Sequence, residues 1–204
     1  MLPLYLASAS PRRRELLQSL GVSFVIDPAG VDESLCAGET PAEHVVRLAA
    51  SKAAEVALRL SRRGIRALVL AADTTVTIDG AILGKPVDAD DALAMLRRLA
   101  GRRHDVITAC RLICTDDGNA AAAFAATSVR FNPWNEPLAR WYVATGEPMD
   151  KAGAYGLQGK GVLLSAGIDG SWSNVVGLPL EWLPGLFLEV GDDFARRMEG
   201  SKSG

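Results

Sequence analysis

Short apolar runs alternate with segments of helical periodicity along this chain, and this alternation constrains the fold more than any other feature. The apolar runs predict strands at 4–7, 24–26, 68–72, 106–114, 121–131 and 162–165, with another in "SWSNVVG" at 171–177. Asp79-Gly80 is a strong two-residue hairpin signal. Strands that alternate with helices are typical of an α/β fold. With 204 residues, 49% of them hydrophobic, the chain is long enough to bury one substantial core.

The predicted helices begin at clear capping signals. Ser10 followed by Pro11 begins the first helix, which ends at Gly21. The capping box "TPAE" at 40–43 begins a long second helix that runs to about residue 60. Three more helices are predicted at 88–101, 136–145 and 179–189. The polar segment 199–204, "EGSKSG", is predicted to be a disordered tail.

Charge and composition exclude several classes of protein. The net charge is −2 and the pI is near 5.7, so no basic field indicates stable binding to nucleic acid. No stretch approaches the roughly 18 consecutive apolar residues of a membrane span, which predicts a soluble protein. Cys36, Cys110 and Cys114 have no zinc-site spacing and predict reduced thiols in a cytoplasmic protein.

The opening helix carries an unusual run of cations. Arg12, Arg13 and Arg14 fall in its first turn, where the backbone already has a partial positive charge. Free backbone N–H groups together with arginines are suited to a polyanion such as a phosphate chain. The alternative is three solvated arginines in an arginine-rich chain.

Lys52 interrupts the apolar stripe of the second helix. Lysine is rarely buried without a partner, so this side chain either extends to the edge of the stripe or points into a polar cleft. The chain has 17 arginines and five lysines, so each lysine hints at a need for a compact point charge.

Two further segments indicate a ligand site. The buried-type strand "LVLAADTTV" ends in Asp73, which is either a turn cap or a carboxylate at the ligand-binding edge of the sheet. Lys85, in "LGKP" on the return arm of the hairpin, is expected near the same edge. The glycine-rich stretch "DKAGAYGLQGKG" permits close approach of the backbone to a ligand, but it matches neither a P-loop nor a dinucleotide fingerprint.

Taken in order, six segments resemble the Maf family of nucleoside triphosphate pyrophosphatases, also called septum formation inhibitors. The segments cover nearly the whole chain: "LASASPRRRELL", "ESLCAGETPAEHVVRLAASKA", "AADTTV", "LGKPVDADDALAMLRRLAGRRHDVIT", "EPMDKAGAYGLQG" and "GSWSNVVGLPL". Because it has "SPRR", "ADT" and "KAGAYGLQG", the chain is similar to the branch that hydrolyses dTTP and UTP rather than 7-methyl-GTP.

The resemblance implies a fold and a set of site residues. The implied fold is an α/β mixed sheet split into two lobes around a deep cleft, as in inosine triphosphate pyrophosphatases. It implies a single bilobed domain over 1–198 and a homodimer. The family's functional positions fall on Ser8, Arg12, Arg13, Glu33, Lys52, Asp73, Lys85 and Gln158, and its specificity positions on Arg12, Thr74 and Gln158.

The implied reaction converts a nucleoside triphosphate and water to the monophosphate and pyrophosphate. Asp73 is expected to accept the proton of water, and Glu33 and Asp73 to hold Mg²⁺ or Mn²⁺. The expected clamp on the triphosphate consists of Arg12, Arg13, Lys52 and Lys85. Gln158 can donate to and accept from a uracil or thymine edge. Two alternatives remain: a non-enzymatic, nucleotide-binding regulator of cell division, and a house-cleaning enzyme for modified nucleotides.

Overall fold

The computed structural model describes residues 1–199 and contains one mixed sheet flanked by helices. Its strands are β1 (Leu4–Leu6), β2 (Val25–Ile26), β3 (Leu68–Ile78), β4 (Ala81–Leu83), β5 (Arg103–Cys114), β6 (Ala120–Phe131) and β7 (Ser165–Asp169). The order is β2-β1-β3-β5-β6-β7, and β4 pairs with β3 off this path. β1 is parallel to β2 and β3, whereas the pairs β3–β4 and β6–β7 are antiparallel. The predicted α/β fold with a mixed sheet is confirmed.

Seven α-helices lie within the described residues. They are α1 (Pro11–Ser19), α2 (Pro41–Arg62), α3 (Ala89–Leu99), α4 (Glu136–Ala144), α5 (Trp172–Val176), α6 (Leu183–Glu189) and α7 (Phe194–Glu199). Short 3₁₀ helices occupy Glu147–Asp150, Ala152–Ala154, Gly159–Leu164 and Leu180–Trp182. None of the helices in the described part of the chain is long and apolar enough to cross a membrane.

The capping signals and the hairpin signal form as predicted. The Ser10 side chain accepts from the backbone N–H of Arg13 at the start of α1. Thr40 and Glu43 make both bonds of the capping box at the start of α2. Between β3 and β4, Asp79 and Gly80 both have positive φ, 55° and 75°, as a tight two-residue hairpin turn requires.

Two predicted strands are wrong. Residues 162–164 belong to the 3₁₀ helix Gly159–Leu164, and the strand begins only at Ser165. "SWSNVVG" contains α5, because the Ser171 hydroxyl accepts from the backbone N–H of Asn174 at 3.0 Å and caps a helix there.

The strand predicted at 121–131 is confirmed, whereas the prediction for the end of the described chain needs correction. The alanine-rich segment 121–131 is a strand as predicted, although alanine favours helix, because β5 and β7 pair with it on both sides. Helix α7 was not predicted, and Glu199, the first residue of the predicted disordered tail, is its last residue. Residues 200–204 of that tail lie outside the described residues.

The chain divides into two compact units. The first unit comprises 1–73, 108–124 and the chain from 177 onward, and the second comprises 74–107 and 125–176. In the first, apolar side chains of α2 pack on β3, with Ala53, Val56 and Leu60 fully buried. In the second, α3 and α4 share a cluster that includes Leu96 and Tyr142. The single bilobed domain over 1–198 and its deep cleft stay predictions.

The second unit buries a histidine among aromatic rings. His104 lies edge-on to Phe131 and Tyr155, with ring centroids 5.0 and 5.3 Å away. Its Nε2 is 2.7 Å from the Tyr155 hydroxyl. Because this ring is only 3% exposed, burial lowers the pKa of His104 to about 4.

The first unit ties the last described helix to the start of the chain. Arg197, on α7, donates to both carboxylate oxygens of Asp192 at 2.7 Å. Its Nη1 also donates to the carbonyl oxygen of Leu2 at 3.0 Å. This buried guanidinium therefore joins the two ends of the described chain.

Candidate active site

Parallel pairing sets the end of β1 beside the first residues of β3 in the first unit. Leu6 lies beside Leu70 in the register, and the N–H of Ala7 donates to the carbonyl of Leu70 at 2.8 Å. The chain leaves β1 at Ser8 and reaches Asp73 on β3 beyond this point, and both side chains are buried. Asp73 lies within β3, which continues to Ile78, so the predicted strand end at this carboxylate is wrong; Asp73 lies just beyond the residues of β3 that pair with β1, where ligands commonly bind in such sheets.

Lys52 contacts two carboxylates. Its Nζ lies 2.7 Å from Asp73 Oδ1 and 2.7 Å from Glu33 Oε1. The Lys52 and Asp73 side chains are 9% and 10% exposed, whereas Glu33 is 58% exposed. Of the two alternatives that the sequence left open, Lys52 therefore takes the polar one, and its stem alone lies along the apolar stripe of α2.

The three consecutive arginines of α1 have three different environments. Arg13 is buried, Arg12 is half-buried and Arg14 is exposed. Arg13 donates from Nε to the carbonyl of Gly177 at 2.8 Å and from Nη1 to Ser8 Oγ at 3.2 Å. Burial lowers the pKa of Arg13, and the charge of the Asp73 carboxylate opposes that shift. Arg13 is therefore part of the same cluster as Asp73.

The loop that carries Glu33 is fixed by residues that the sequence reasoning missed. Arg47 on α2 donates from Nη2 to the Ser34 carbonyl at 2.9 Å and forms a two-point pair with Glu39. The hydrogen bonds from Arg47 lower the pKa of Glu39 to about 2. The Ser34 N–H in turn donates to Asp32 at 2.9 Å. No spacing rule marks these pairs, because their partners come from an irregular loop.

Glu33 and Asp73 have the chemistry of ligands for a hard divalent cation. Their oxygens already surround one positive charge, the Lys52 ammonium. Across residues 1–199, however, no three His, Cys, Asp or Glu side chains are grouped as a metal site. Mg²⁺ is commonly held by one or two carboxylates together with phosphate oxygens of a substrate, so two carboxylates are sufficient.

The remaining predicted site residues belong to the second unit. Thr74 is half-buried on β3, directly after Asp73. Lys85 is exposed in the segment after β4, and Gln158 is half-buried just before the 3₁₀ helix Gly159–Leu164. The structure thus brings together Ser8, Arg13, Glu33, Lys52 and Asp73 in the first unit. A site shared by Lys85 and Asp73 stays a prediction.

Comparison with known proteins places this arrangement among relatives. A family model described as Maf-like protein matches residues 3–190. A dTTP/UTP pyrophosphatase of Burkholderia pseudomallei is 53% identical over 184 residues, which is 86% of this chain and 88% of that protein. One of Symbiobacterium thermophilum is 49% identical over 180 residues, covering 88% and 90% respectively. A solved dITP/XTP pyrophosphatase of Mycobacterium abscessus covers 64% of this chain and 74% of its own, at 15% identity and a TM-score of 0.38. That structural likeness is too weak to bear on the fold.

Proposed function

The chain belongs to the Maf family, and from that premise we propose that it hydrolyses dTTP and UTP to the nucleoside monophosphate and pyrophosphate. Relatives about 50% identical to it over most of its length carry the name dTTP/UTP pyrophosphatase. The observation that carries the proposal is the ion cluster in which Lys52 contacts both Asp73 and Glu33. A buried carboxylate held beside an ammonium and a guanidinium is suited to activating water near a polyphosphate.

Asp73 is the proton acceptor in this proposal. Water attacks the α-phosphorus, a new P–O bond forms, and the bond from that phosphorus to the bridging oxygen breaks to release pyrophosphate. The proton of the attacking water passes to the Asp73 carboxylate. Lys52 holds that carboxylate in place at 2.7 Å, so its geometry is fixed before the substrate arrives.

Cations of the chain stabilise the leaving group. Arg12, Arg13, Lys52 and Lys85 bind the triphosphate and offset the negative charge that moves onto pyrophosphate. Glu33 and Asp73 would hold Mg²⁺ or Mn²⁺, which would supply further positive charge to the phosphate oxygens. This explains why α1 has three arginines and no acidic residue in its first turn.

Substrate recognition is assigned to Ser8, Thr74 and Gln158. Ser8 binds a phosphate oxygen in this proposal, which the contact of its hydroxyl with the Arg13 guanidinium supports. Thr74 and Gln158 recognise the pyrimidine, with the Gln158 amide as both donor and acceptor. We further propose a cytoplasmic homodimer that does not bind nucleic acid stably, consistent with the net charge of −2.

The test is release of pyrophosphate by the purified protein with Mg²⁺ or Mn²⁺. We expect saturable turnover of dTTP and UTP, and a loss of about 10² to 10⁴ in kcat for Asp73→Asn, because the amide keeps the shape and removes the base. Asp79→Asn is the matched control, since Asp79 is an exposed hairpin residue. Near-wild-type kcat in Asp73→Asn would exclude this residue as the base.

Two outcomes of the same assay favour the alternatives. Tight binding of dTTP without any turnover favours a non-enzymatic regulator of cell division. A panel of dTTP, UTP, CTP and 5-substituted pyrimidine triphosphates decides between canonical and modified substrates. A 5-substituted nucleotide with the highest kcat/KM indicates a house-cleaning role.

A further inference from the structure

Glu147 binds the backbone of the segment that carries Gln158. Its Oε2 accepts from the N–H of Lys160 at 3.1 Å, and its Oε1 accepts from the N–H of Gly161 at 3.1 Å. The same Oε1 accepts from the Tyr142 hydroxyl at 3.2 Å. Residues 156–161, here called the Gln158 segment, are therefore hydrogen-bonded at their carboxyl end to one carboxylate.

The glycines of this segment are explained by its closeness to Glu147. Gly159 has a φ of +81°, and a Cβ there would lie 3.0 Å from Glu147 Oε2. A Cβ on Gly161 would lie 2.4 Å from the Gly156 carbonyl oxygen and 2.7 Å from the Tyr142 hydroxyl. A Cβ at Gly159 would press on the carboxylate in a strained backbone conformation, and one at Gly161 would clash with the Gly156 backbone and the Tyr142 hydroxyl that also contacts Glu147.

The amino end of the segment is held from the same place by Lys151. Lys151 Nζ donates to the backbone carbonyl of Glu147 and pairs with Asp150 at 2.7 Å, and its side chain is only 12% exposed. The Lys151 stem passes against Gly156, where a Cβ would lie 2.9 Å from its Cδ and Cε. The Glu147 carboxylate thus binds the carboxyl end of the Gln158 segment, and the Lys151 stem, whose Nζ donates to the Glu147 carbonyl, packs against its amino end.

Tyr142 remains a hydrogen-bond donor to this carboxylate. Burial, and after it the negative charge of Glu147, raises the pKa of Tyr142. The hydroxyl therefore keeps its proton at neutral pH and satisfies part of the charge of Glu147. Three donors from two elements converge on one side chain, α4 supplying the hydroxyl and the Gln158 segment supplying two N–H groups.

We propose that Glu147 is a positioning residue that sets the orientation of Gln158 and thereby the pyrimidine selectivity of the enzyme. Gln158 itself has extended backbone, with φ −88° and ψ 136°, and makes no side-chain cap to the helix that follows it. Its place is determined by the restraints on Gly156 and on Lys160, two residues to either side. This inference rests on the role of Gln158 given under the proposed function.

The decisive variant is Glu147→Gln, compared with Glu136→Gln as a matched control. An amide has one acceptor oxygen and places an NH₂ group against a backbone N–H, so one of the two backbone bonds is lost. Glu136 begins α4 in the same unit and pairs with Arg97 and Arg140, each at 2.6 Å. Both variants lose one negative charge, but only Glu147→Gln changes contacts of the Gln158 segment.

Two measurements are made on the full chain. Hydrogen exchange by NMR reports the amides of Lys160 and Gly161. One of the two should exchange at least tenfold faster in Glu147→Gln, and neither should change in Glu136→Gln. Calorimetry gives the Kd of α,β-methylene-dTTP and α,β-methylene-dCTP with Mg²⁺. The Kd for the dCTP analogue divided by the Kd for the dTTP analogue should be at least fivefold smaller in Glu147→Gln than in the wild type. In Glu136→Gln this ratio should stay at the wild-type value.

The outcomes separate this inference from the proposed function. Unchanged exchange, an unchanged Kd ratio, or a wild-type ratio near one overturns the positioning role. A general loss of stability weakens the binding of both analogues equally and leaves the ratio of their Kd values unchanged, so it does not imitate the expected result. If the wild type releases no pyrophosphate from dTTP while Glu147→Gln still shifts the ratio, the hydrolase assignment fails and the positioning role stands.

Discussion

Replacement of Lys52 by methionine tests the ion cluster through stability alone. From the sequence, Lys52→Met should hold or raise the melting temperature, because it removes a cation from an apolar stripe. The structure reverses that sign, since the ammonium lies 2.7 Å from each of Asp73 and Glu33. Methionine keeps the stem length but leaves Asp73 as a buried carboxylate without its ammonium.

The size of the loss follows from the distances and the burial. Two unit charges 2.7 Å apart attract by about 6 kcal/mol at an effective dielectric constant near 20, and desolvation offsets much of this. Removing one partner of a buried pair costs about 3–5 kcal/mol. The Arg13 guanidinium still acts on Asp73, so we expect the lower value, about 3 kcal/mol. For a chain of this size that lowers the melting temperature by about 6–12 °C.

Urea unfolding of four proteins measures the coupling: wild type, Lys52→Met, Asp73→Asn and the double variant. The double variant leaves neither charge of the pair unmatched, so it should be more stable than the sum of the single losses predicts, by about 2 kcal/mol. Arg14→Met is the control, because Arg14 is exposed on α1. Additivity within about 0.5 kcal/mol refutes the reasoning.

Three more predictions concern stability. Arg13→Ala should lower the free energy of unfolding by about 2 kcal/mol, because Arg13 donates two buried hydrogen bonds. Arg14→Ala should change it by under about 0.5 kcal/mol. Chemical unfolding of both variants checks this, and equal losses contradict it. Arg197→Ala removes three bonds and should speed proteolysis within α7; an unchanged cleavage rate contradicts it. The pKa of His104 is lowered to about 4, so between pH 6.5 and 4 the His104 imidazole is protonated in the unfolded chain but not in the folded one. The free energy of unfolding should therefore fall by about 2–4 kcal/mol as the pH is lowered through that window. Urea unfolding at several pH values should show that the free energy of unfolding falls less steeply with decreasing pH in His104→Gln than in the wild type.

The helix starts and the hairpin could be predicted because their causes are local. A cap needs only a side chain and an N–H three residues away, as at Ser10 and Arg13. The 3₁₀ helix that replaces the predicted strand at 162–164 could not be predicted in the same way. Short apolar runs do not distinguish a strand from a helical turn, and contacts of Gly161 with the Glu147 carboxylate decide the conformation there.

The candidate site could be predicted in part. Three residues of the site are visible in the sequence because local rules do not explain them. Arg13 is a cation at a helix start, Lys52 is a lysine in an apolar stripe, and Asp73 is a carboxylate that follows an apolar run. Glu33 was identified by family resemblance, because it lies in an irregular loop. Arg47, which fixes that loop through Ser34 and Glu39, has no such signal, since one partner is a backbone carbonyl and the other lies eight residues away, before the start of α2.

The division of the chain into segments has a consequence for biosynthesis. All residues of the second unit have been synthesised by residue 176, whereas the first unit is made of the opening 73 residues, a middle segment and the chain from 177 onward. Arg13 is synthesised 164 residues before its acceptor, the carbonyl of Gly177. At about 5–20 residues per second, the interval between them is about 8–33 s. During translation the nascent chain therefore has all residues of the second unit while Arg13, in the first, still lacks its Gly177 acceptor.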